Sequence, residues 1–439
     1  MVTGEAAMRW WARSLSGVVS AALLLSLPGP AGGGPFRVST ELPPLGKGQR
    51  YEVVADGYAL RRSYAIEQPD DTLAVFDLND GRELWSADPG VGNVTTHVAS
   101  DGVLVVLGSA REDGVTNMSH SQTVGLDLRT GRELWRRPHS LVGRPAGSVV
   151  AITCNGCRED SVGVDLRTGA QVWRAPWQGT VNLVERDKAL LRDDKGTLRS
   201  LDLRTGRLTT LGTLSPGSWI VDATERHLLV KPEAEYPEGG GTALPTTVTV
   251  YDRATFAKGQ IFPMPKPGMV PWELSLCGED TVCARPDFHD TQLYDLDSGK
   301  LLSDLPNFAL GGAVDAPSRG TVVAGFLNPG RRGVDRPHSQ VLDRRTGAVL
   351  ADLVGWSPVL TDGDRLWVVE LGLGQPGRLG RVDLDAAVLR VTPVARFGTG
   401  HDDCDLRYGW LLCTGRDVAT AMRLRVPAET GAGPEGHWS

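Results

Sequence analysis

The sequence lacks the motifs that most often announce an enzyme. No Gly-Lys-Ser/Thr phosphate loop, no nucleophile elbow and no His-x-x-x-His metal pair occurs in its 439 residues. The eight histidines are scattered. Aromatic residues make up only 6%, and lysine supplies 7 of the 46 basic residues, the other 39 being Arg. That bias fits a GC-rich genome better than an Arg-based chemistry. A net charge of −7 and a pI near 5.7 omit the basic footprint on which general nucleic-acid binding depends. Long apolar runs are also missing. The best one, residues 15–27, falls short of the ~20 residues a spanning helix needs.

What the chain has in quantity is turns and a repeat. It carries 54 Gly and 28 Pro. Asp127-Leu128-Arg129-Thr130-Gly131, ending in Trp135, recurs as Asp165–Gly169 with Trp173, and as Asp202 to Gly206. Looser copies run from Asp77 to Gly81 with Trp85, from Asp295 to Gly299 and from Asp343 to Gly347, and worn ones begin at Asp252 and Asp383. A β-prone run precedes most of the eight copies. The Asp carboxylate can accept backbone N–H bonds of the turn, and Gly supplies the positive φ of a tight hairpin. Each copy therefore reads as a hairpin that cannot bury its own apolar face. The Asp-to-Asp spacings of 50, 38, 37, 50, 43, 48 and 40 residues, with about four strands per unit, give an all-β chain folded as one β-propeller. Eight hairpins plus a unit shared by the two chain ends make nine blades when taken literally. Common propeller sizes favour about eight four-stranded blades, with one worn copy absorbed by a neighbour.

The pattern apolar-Asp-x-x-Thr-Gly-x-x-x-Trp, best kept at 127–135 and 165–173, resembles the PQQ-like (quinoprotein-type) propeller repeat. That repeat is found in quinoprotein alcohol dehydrogenases and in the propeller of the outer-membrane assembly machinery. The resemblance covers roughly residues 45–425 and implies that Trp85, Trp135 and Trp173 dock neighbouring blades. Dehydrogenases of this kind pair their quinone with a disulfide between adjacent cysteines, a calcium and an Asp base. No adjacent Cys-Cys occurs here, and the recurring acids are the turn Asp residues. The resemblance thus implies the scaffold without the active site, and no cofactor, metal or catalytic residue is expected.

At the N-terminus Arg9 and Arg13, the apolar run and a Pro/Gly/Ala exit make 1–35 either a cleaved signal peptide or a retained membrane anchor. Both place the rest outside the cytoplasm. Residues 36–42 are expected to close the ring against strands at 406–413 and 418–426, making 36–426 the propeller and 427–439 a flexible tail. Segments 110–122, 231–245 and 328–340 stand out as long loops between equivalent strands, so they share one face. Their Glu233, Glu235, Arg331, Arg332 and Arg336 give that face mixed sign. Loops held on a rigid scaffold are where partners bind, although surface loops also accept length cheaply.

The six cysteines form three local pairs, Cys154/Cys157, Cys277/Cys283 and Cys404/Cys413, which read as disulfides in an exported chain. Cys154 and Cys157 match a redox spacing, but Asn155-Gly156 between them favours a hairpin over the helix start that such chemistry wants. His401-Asp402-Asp403 is a possible ligand cluster that reads first as a solvated turn. Asn93-Val94-Thr95 and Asn117-Met118-Ser119 match a glycosylation acceptor. The reading that follows is a non-catalytic, extracytoplasmic scaffold binding a protein or envelope partner through the three loops, with no nucleic acid and a membrane link only through 1–35. A quinone-dependent dehydrogenase with an atypical site, or a small-ligand or glycan sensor, are the alternatives.

Overall fold

The computed structural model divides the chain into two units, Met1–Gly34 and Pro35–Ser439. It describes residues 36–424 apart from 47, 64–71, 113–114, 154–159, 178–179, 186, 216, 232–246, 264–272, 278–279, 286–290, 306–307, 317–319, 328–337, 363–364, 373–374, 402 and 416–417. The expected signal peptide or anchor at 1–35, Cys154, Cys157 and the tail at 427–439 lie outside the described residues. Among the described residues no helix is long and apolar enough to cross a membrane.

The second unit is a β-propeller. The described residues form nine four-stranded antiparallel sheets, each but one built from four strands consecutive in sequence. We number them along the chain: sheet 1 at 49–87, sheet 2 at 91–137, sheet 3 at 140–175, sheet 4 at 180–213 and sheet 5 at 219–263. Sheets 6, 7 and 8 follow at 273–305, 308–354 and 357–397. Sheet 9 takes its first three strands from 403–424 and its outermost strand, Phe36–Leu42, from the other end of the chain. Where the sequence reading settled on about eight blades, each of the eight Asp hairpins has a sheet of its own. Even the worn copies keep the pairing, as Asp252 N donates to Ala257 O and Gln375–Asp383 pairs with Val391–Phe397.

Alternation explains the stacking. A strand with both faces covered needs apolar residues at successive positions, and the second strands supply them: Val103–Val106, Val149–Ile152, Ala189–Leu191 and Leu228–Val230 are buried. Their side chains go alternately to the two neighbouring sheets. Val103 and Val105 pack with Val150 and Ile152 of sheet 3, while Leu104 and Val106 pack with Leu60 and Val75 of sheet 1. The chain of seams runs on around the ring. The last one joins Leu42, Trp410 and Ala421 of sheet 9 to Tyr51, Val53 and Phe76 of sheet 1. Phe36–Leu42 lies antiparallel to Ala419–Leu424, with Thr40 opposite Ala421.

Two disulfides staple hairpins. Cys277 and Cys283 join across the first turn of sheet 6, with Cα atoms 5.7 Å apart. Cys404 and Cys413 face each other in register in sheet 9. Both are consistent with an oxidising, extracytoplasmic compartment.

Candidate functional site: the seams and the inner rim

The Asp turn is the unit from which each seam is built. In the copy at Asp127, one carboxylate oxygen accepts Arg129 N at 3.1 Å, Thr130 N at 2.8 Å and the Thr130 hydroxyl at 2.8 Å. Asp127 O accepts Gly131 N, and Asp127 N donates to Arg132 O, each at 2.8 Å. The same set recurs at Asp165, Asp252 and Asp343, with Ser298 in place of Thr at Asp295. Asp202 accepts Arg204 N and Thr205 N, and Asp77 accepts Asn79 N. At Asp165 the hydroxyl and amide of Thr168 hold the carboxyl below its ordinary value. Ionised, it is an acceptor only, and one of its two oxygens is committed to the turn.

These turns put Gly81, Gly131, Gly169, Gly206, Gly299 and Gly347 at φ of 73°, 70°, 66°, 72°, 67° and 68°. For three of them the left-handed backbone is only half of the reason for Gly. A Cβ on Gly131 would lie 2.6 Å from Cδ2 of Trp85, and one on Gly206 would lie 2.7 Å from Cδ2 of Trp173. Trp135 sits against Gly169 in the same way. Each indole also donates Nε1–H to a carbonyl of the next sheet: Trp85 to Leu128 O at 2.8 Å, Trp135 to Leu166 O at 2.8 Å and Trp173 to Leu203 O at 3.2 Å. One side chain thus bridges two sheets by packing and by a directed bond. Gly125 and Gly163, on the Trp residues' own sheets, leave room for the rings of Trp135 and Trp173.

The worn copies show what replaces this device. Thr210 stands in sheet 4 where the pattern has Trp, and Phe256 stands in sheet 5 where it has Gly. Phe256 keeps the positive φ, at 57°, and its ring lies against Gly212 of sheet 4 and 5.1 Å from the Tyr251 ring. The aromatic bulk has crossed the seam. In the same copy Arg253 occupies the place of the buried Leu that follows Asp elsewhere, and it grips Glu185 of sheet 4 with both terminal nitrogens and Thr224 O with one. Arg344 repeats the exchange, paired with Asp280 of sheet 6. Sequence reading passed over Phe256 and Arg253. Comparing each worn turn with the sheet before it would have found them.

A polar cluster that sequence reading also missed lies where sheets 1 and 2 meet at the inner rim. Glu52, on the innermost strand Gln49–Ala55, accepts from Arg62 at 3.2 and 3.3 Å and contacts Arg50 at 2.6 Å. His97 Nε2 of sheet 2 stands 3.0 Å from its other oxygen. Arg62 also donates to Val94 O at 3.2 Å, tying the cluster to the sheet 2 backbone. Burial alone would raise the Glu52 pKa; the hydrogen bond and charge of His97, with Arg62 and Arg50, outweigh it and bring it down to about 2. The signal in sequence was weak, because Glu52, Arg62 and His97 follow no shared motif. Asp405, on the innermost strand of sheet 9, moves the other way, since burial raises it more than Arg407 lowers it.

Other expected sites fall as follows. Residues 110–122 are not a free loop. The paired strands Val103–Glu112 and Val115–Asp127 carry the sheet out to Glu112 opposite Val115, so the insertion is a lengthened hairpin with a bulge after Ser109. Residues 232–246 and 328–337, the bulk of the other two segments, lie outside the described residues. His401 is not in a solvated turn. It is buried, with Nδ1 3.1 Å from Gly398 O and Nε2 3.0 Å from the Thr420 hydroxyl. Among the described residues no group of three or more His, Cys, Asp or Glu is arranged to hold a metal.

Ring and seams define the class, a β-propeller whose blades are joined turn to strand. Residues 5–153 match the family model described as outer membrane protein assembly factor BamB. That match, over about a third of the chain, and the repeat make the chain similar to the PQQ-like propeller repeat proteins. No curated protein sequence matches it. BamB from Moraxella catarrhalis is a similar solved structure, at 15% identity, covering 90% of this chain and 100% of that one, with a TM-score of 0.42. The quinohemoprotein alcohol dehydrogenase from Comamonas testosteroni is 13% identical, over 91% of this chain and 78% of that one, with a TM-score of 0.37. A computationally designed protein, Ika8, is 12% identical, over 89% and 100%, with a TM-score of 0.44.

Two predictions follow from these contacts. Trp135→Ala should cost about 3–5 kcal/mol in urea unfolding, and Trp135→Phe about 1–3 kcal/mol, chiefly for the stranded Leu166 carbonyl. A cost near zero for both would show that the seam is held elsewhere. For Glu52, whose folded pKa is depressed from 4.5 to about 2, stabilisation is full above the unfolded pKa and is lost as pH falls through the folded one. Glu52→Gln should therefore destabilise by about 3 kcal/mol at pH 7, where the buried Arg62 loses its charged partner. Unfolding curves from pH 7 down to pH 2 should show that difference shrinking below about pH 4.5.

Proposed function

We propose that the chain is a non-catalytic, extracytoplasmic scaffold that presents one face of its propeller to a protein partner at the cell envelope. The observation that carries this reading is the state of the recurring acids. In seven of the eight copies, from Asp77 to Asp343, the turn Asp accepts hydrogen bonds from its own turn, so the acids that a repeat could offer to a cofactor already serve the hairpins. The outward feature is the lengthened hairpin of sheet 2. Strands alternate in direction, so the end of this hairpin, at Glu112 opposite Val115, lies on the face opposite the Asp turns. Near its end Arg111 pairs with Asp88. A rigid ring carrying a lengthened hairpin on one face suits recognition of a partner surface. The compartment and the anchoring or release of the N-terminus belong to the same proposal, supported by the two disulfides and the apolar run at 15–27.

The test is chemical cross-linking in the native envelope followed by affinity purification, with wild type beside a variant whose residues 111–121 are replaced by a two-residue turn. A stoichiometric protein partner that is lost from the shortened variant, while its melting curve stays close to wild type, is the expected result. Co-purification of a quinone or calcium in molar amount would overturn the non-catalytic reading.

A further inference from the structure

We infer that the face carrying the Asp turns meets a phospholipid bilayer at sheets 8 and 9, with Val388 and Tyr408 sunk among its headgroups, a step that rests on the extracytoplasmic reading above with residues 1–35 kept as an anchor. Among the described residues Val388 is the most exposed large apolar side chain, at 63%, and Tyr408 is 52% exposed. Both stand on turns of that one face, on sheets joined by the seam of Trp367, Phe397, Leu406 and Leu411. Leu384 and Leu389, in the turn of Val388, are buried in the seam with sheet 7, so the turn is held while Val388 stays in solvent. Tyr408 and Gly409, at φ of 51° and 73°, form a two-residue loop between the paired residues Arg407 and Trp410. Such a loop favours Asp or Asn at its first position, and sheet 2 has Asp101 there, at φ 48°, before Gly102. A tyrosine strains the loop and adds nothing to the core. Neither accounts for its presence.

The chain enters the ring at the same corner. Leu424 N donates to Gly409 O at 2.8 Å, as Leu128 N donates to Gly102 O at 2.9 Å, so Leu424 stands where the Asp turn stands in other sheets. Phe36 is paired opposite Leu424. Eight residues, 28–35, separate Phe36 from the apolar run 15–27. Fully extended, they reach at most about 30 Å. An anchored run therefore keeps this corner near the bilayer and leaves the lengthened hairpin on the far face. A tethered contact needs little affinity of its own, because binding is then intramolecular. The neighbouring charges decide its kind. Arg390, Arg407 and Arg423 are exposed, but Asp385 shares the turn of Arg390, Asp405 pairs with Arg407 at 2.8 Å and Asp56 with Arg423 at 3.4 Å. With no surplus of positive charge, attachment comes from the two tips entering the interface, where Tyr is favoured, and not from attraction to anionic lipid. Two separate tips also fall short of the continuous patch, about 800 Å² per partner, of a stable protein interface. A headgroup layer takes them singly.

The experiment reconstitutes the full chain into phosphatidylcholine vesicles that carry a diazirine-labelled phosphatidylcholine, and maps lipid adducts by mass spectrometry. Adducts are expected in 15–27, in 385–390 and in 407–409. None is expected near Glu112, or at Trp219, which is 48% exposed but opens the innermost strand of sheet 5 on the opposite face. Val388→Ser combined with Tyr408→Asn, a residue that accepts positive φ, should lower the turn adducts about tenfold. Adducts in 15–27 and the melting curve should stay as in wild type, since both side chains lie outside the core. Raising the salt concentration should leave the turn adducts unchanged. Adducts in 15–27 with none on either turn would overturn the docking and leave the anchor standing. No adducts in 15–27 would overturn the anchor, and the docking with it. Turn adducts unchanged in the double variant, adducts spread over both faces, or either turn cross-linked to a second copy instead of lipid would also overturn the docking.

Discussion

A propeller sheet with two apolar faces has no stable existence alone, and this constraint governs the rest of the molecule. Every sheet needs a neighbour on both sides, which only a closed ring provides. Closure here is by main-chain pairing of Phe36–Leu42 with Ala419–Leu424, so the first described strand and the last hold each other. The seam between sheets 9 and 1, with Trp410 donating to Asp56 at 2.9 Å, adds a directed bond across the closure.

Within that ring the seams are solved in more than one way. From sheet 1 to sheet 4 a Trp ring lies on a Gly turn and bonds a carbonyl. At the next seam the large residue is Phe256 in the turn, and the small one is Gly212 in the strand. Both solutions fill the same gap between neighbouring sheets, which is why the repeat can wear without opening the ring. Exchanging Leu for Arg after Asp252 and Asp343 obeys the same logic, since Glu185 and Asp280 on the preceding sheets supply the opposite charge. The Glu52 cluster belongs to a different layer of the design. It places a part-buried carboxylate among two arginines and a histidine at the rim, where it joins sheet 1 to the sheet 2 backbone.

Much of the fold was legible in the sequence because it is local and repeated. Asp, Thr and Gly at fixed spacing specify a turn through hydrogen bonds made within four residues. The Trp three positions after a Gly-Arg or Gly-Ala step marks the strand that leaves the turn, as at Trp135 and Trp173. The disulfides Cys277–Cys283 and Cys404–Cys413 were legible for the same reason. Non-local features were not. Nothing near Phe256 in sequence announces Gly212, and nothing near Glu52 announces His97, because each pair meets only when two sheets stack. The segment at 110–122 misled for a local reason. Its Gly and charged residues have loop composition, yet the hairpin ladder continues through it, as backbone pairing can wherever side chains have room. The copies at Asp252 and Asp383 left the count between eight and nine, because they had lost side chains of the motif while their strands kept the backbone pairing.

The central claim is that the two ends of the described chain close one cooperative ring. Hydrogen exchange read by mass spectrometry on the segment 419–424 tests it most directly. If Phe36–Leu42 completes the sheet, these amides should be protected to the same extent as those of the interior strand Val149–Thr153, and both should open together as denaturant is raised. Exchange of 419–424 far faster than 149–153 would mean that this strand is a frayed edge, and would contradict the closed ring.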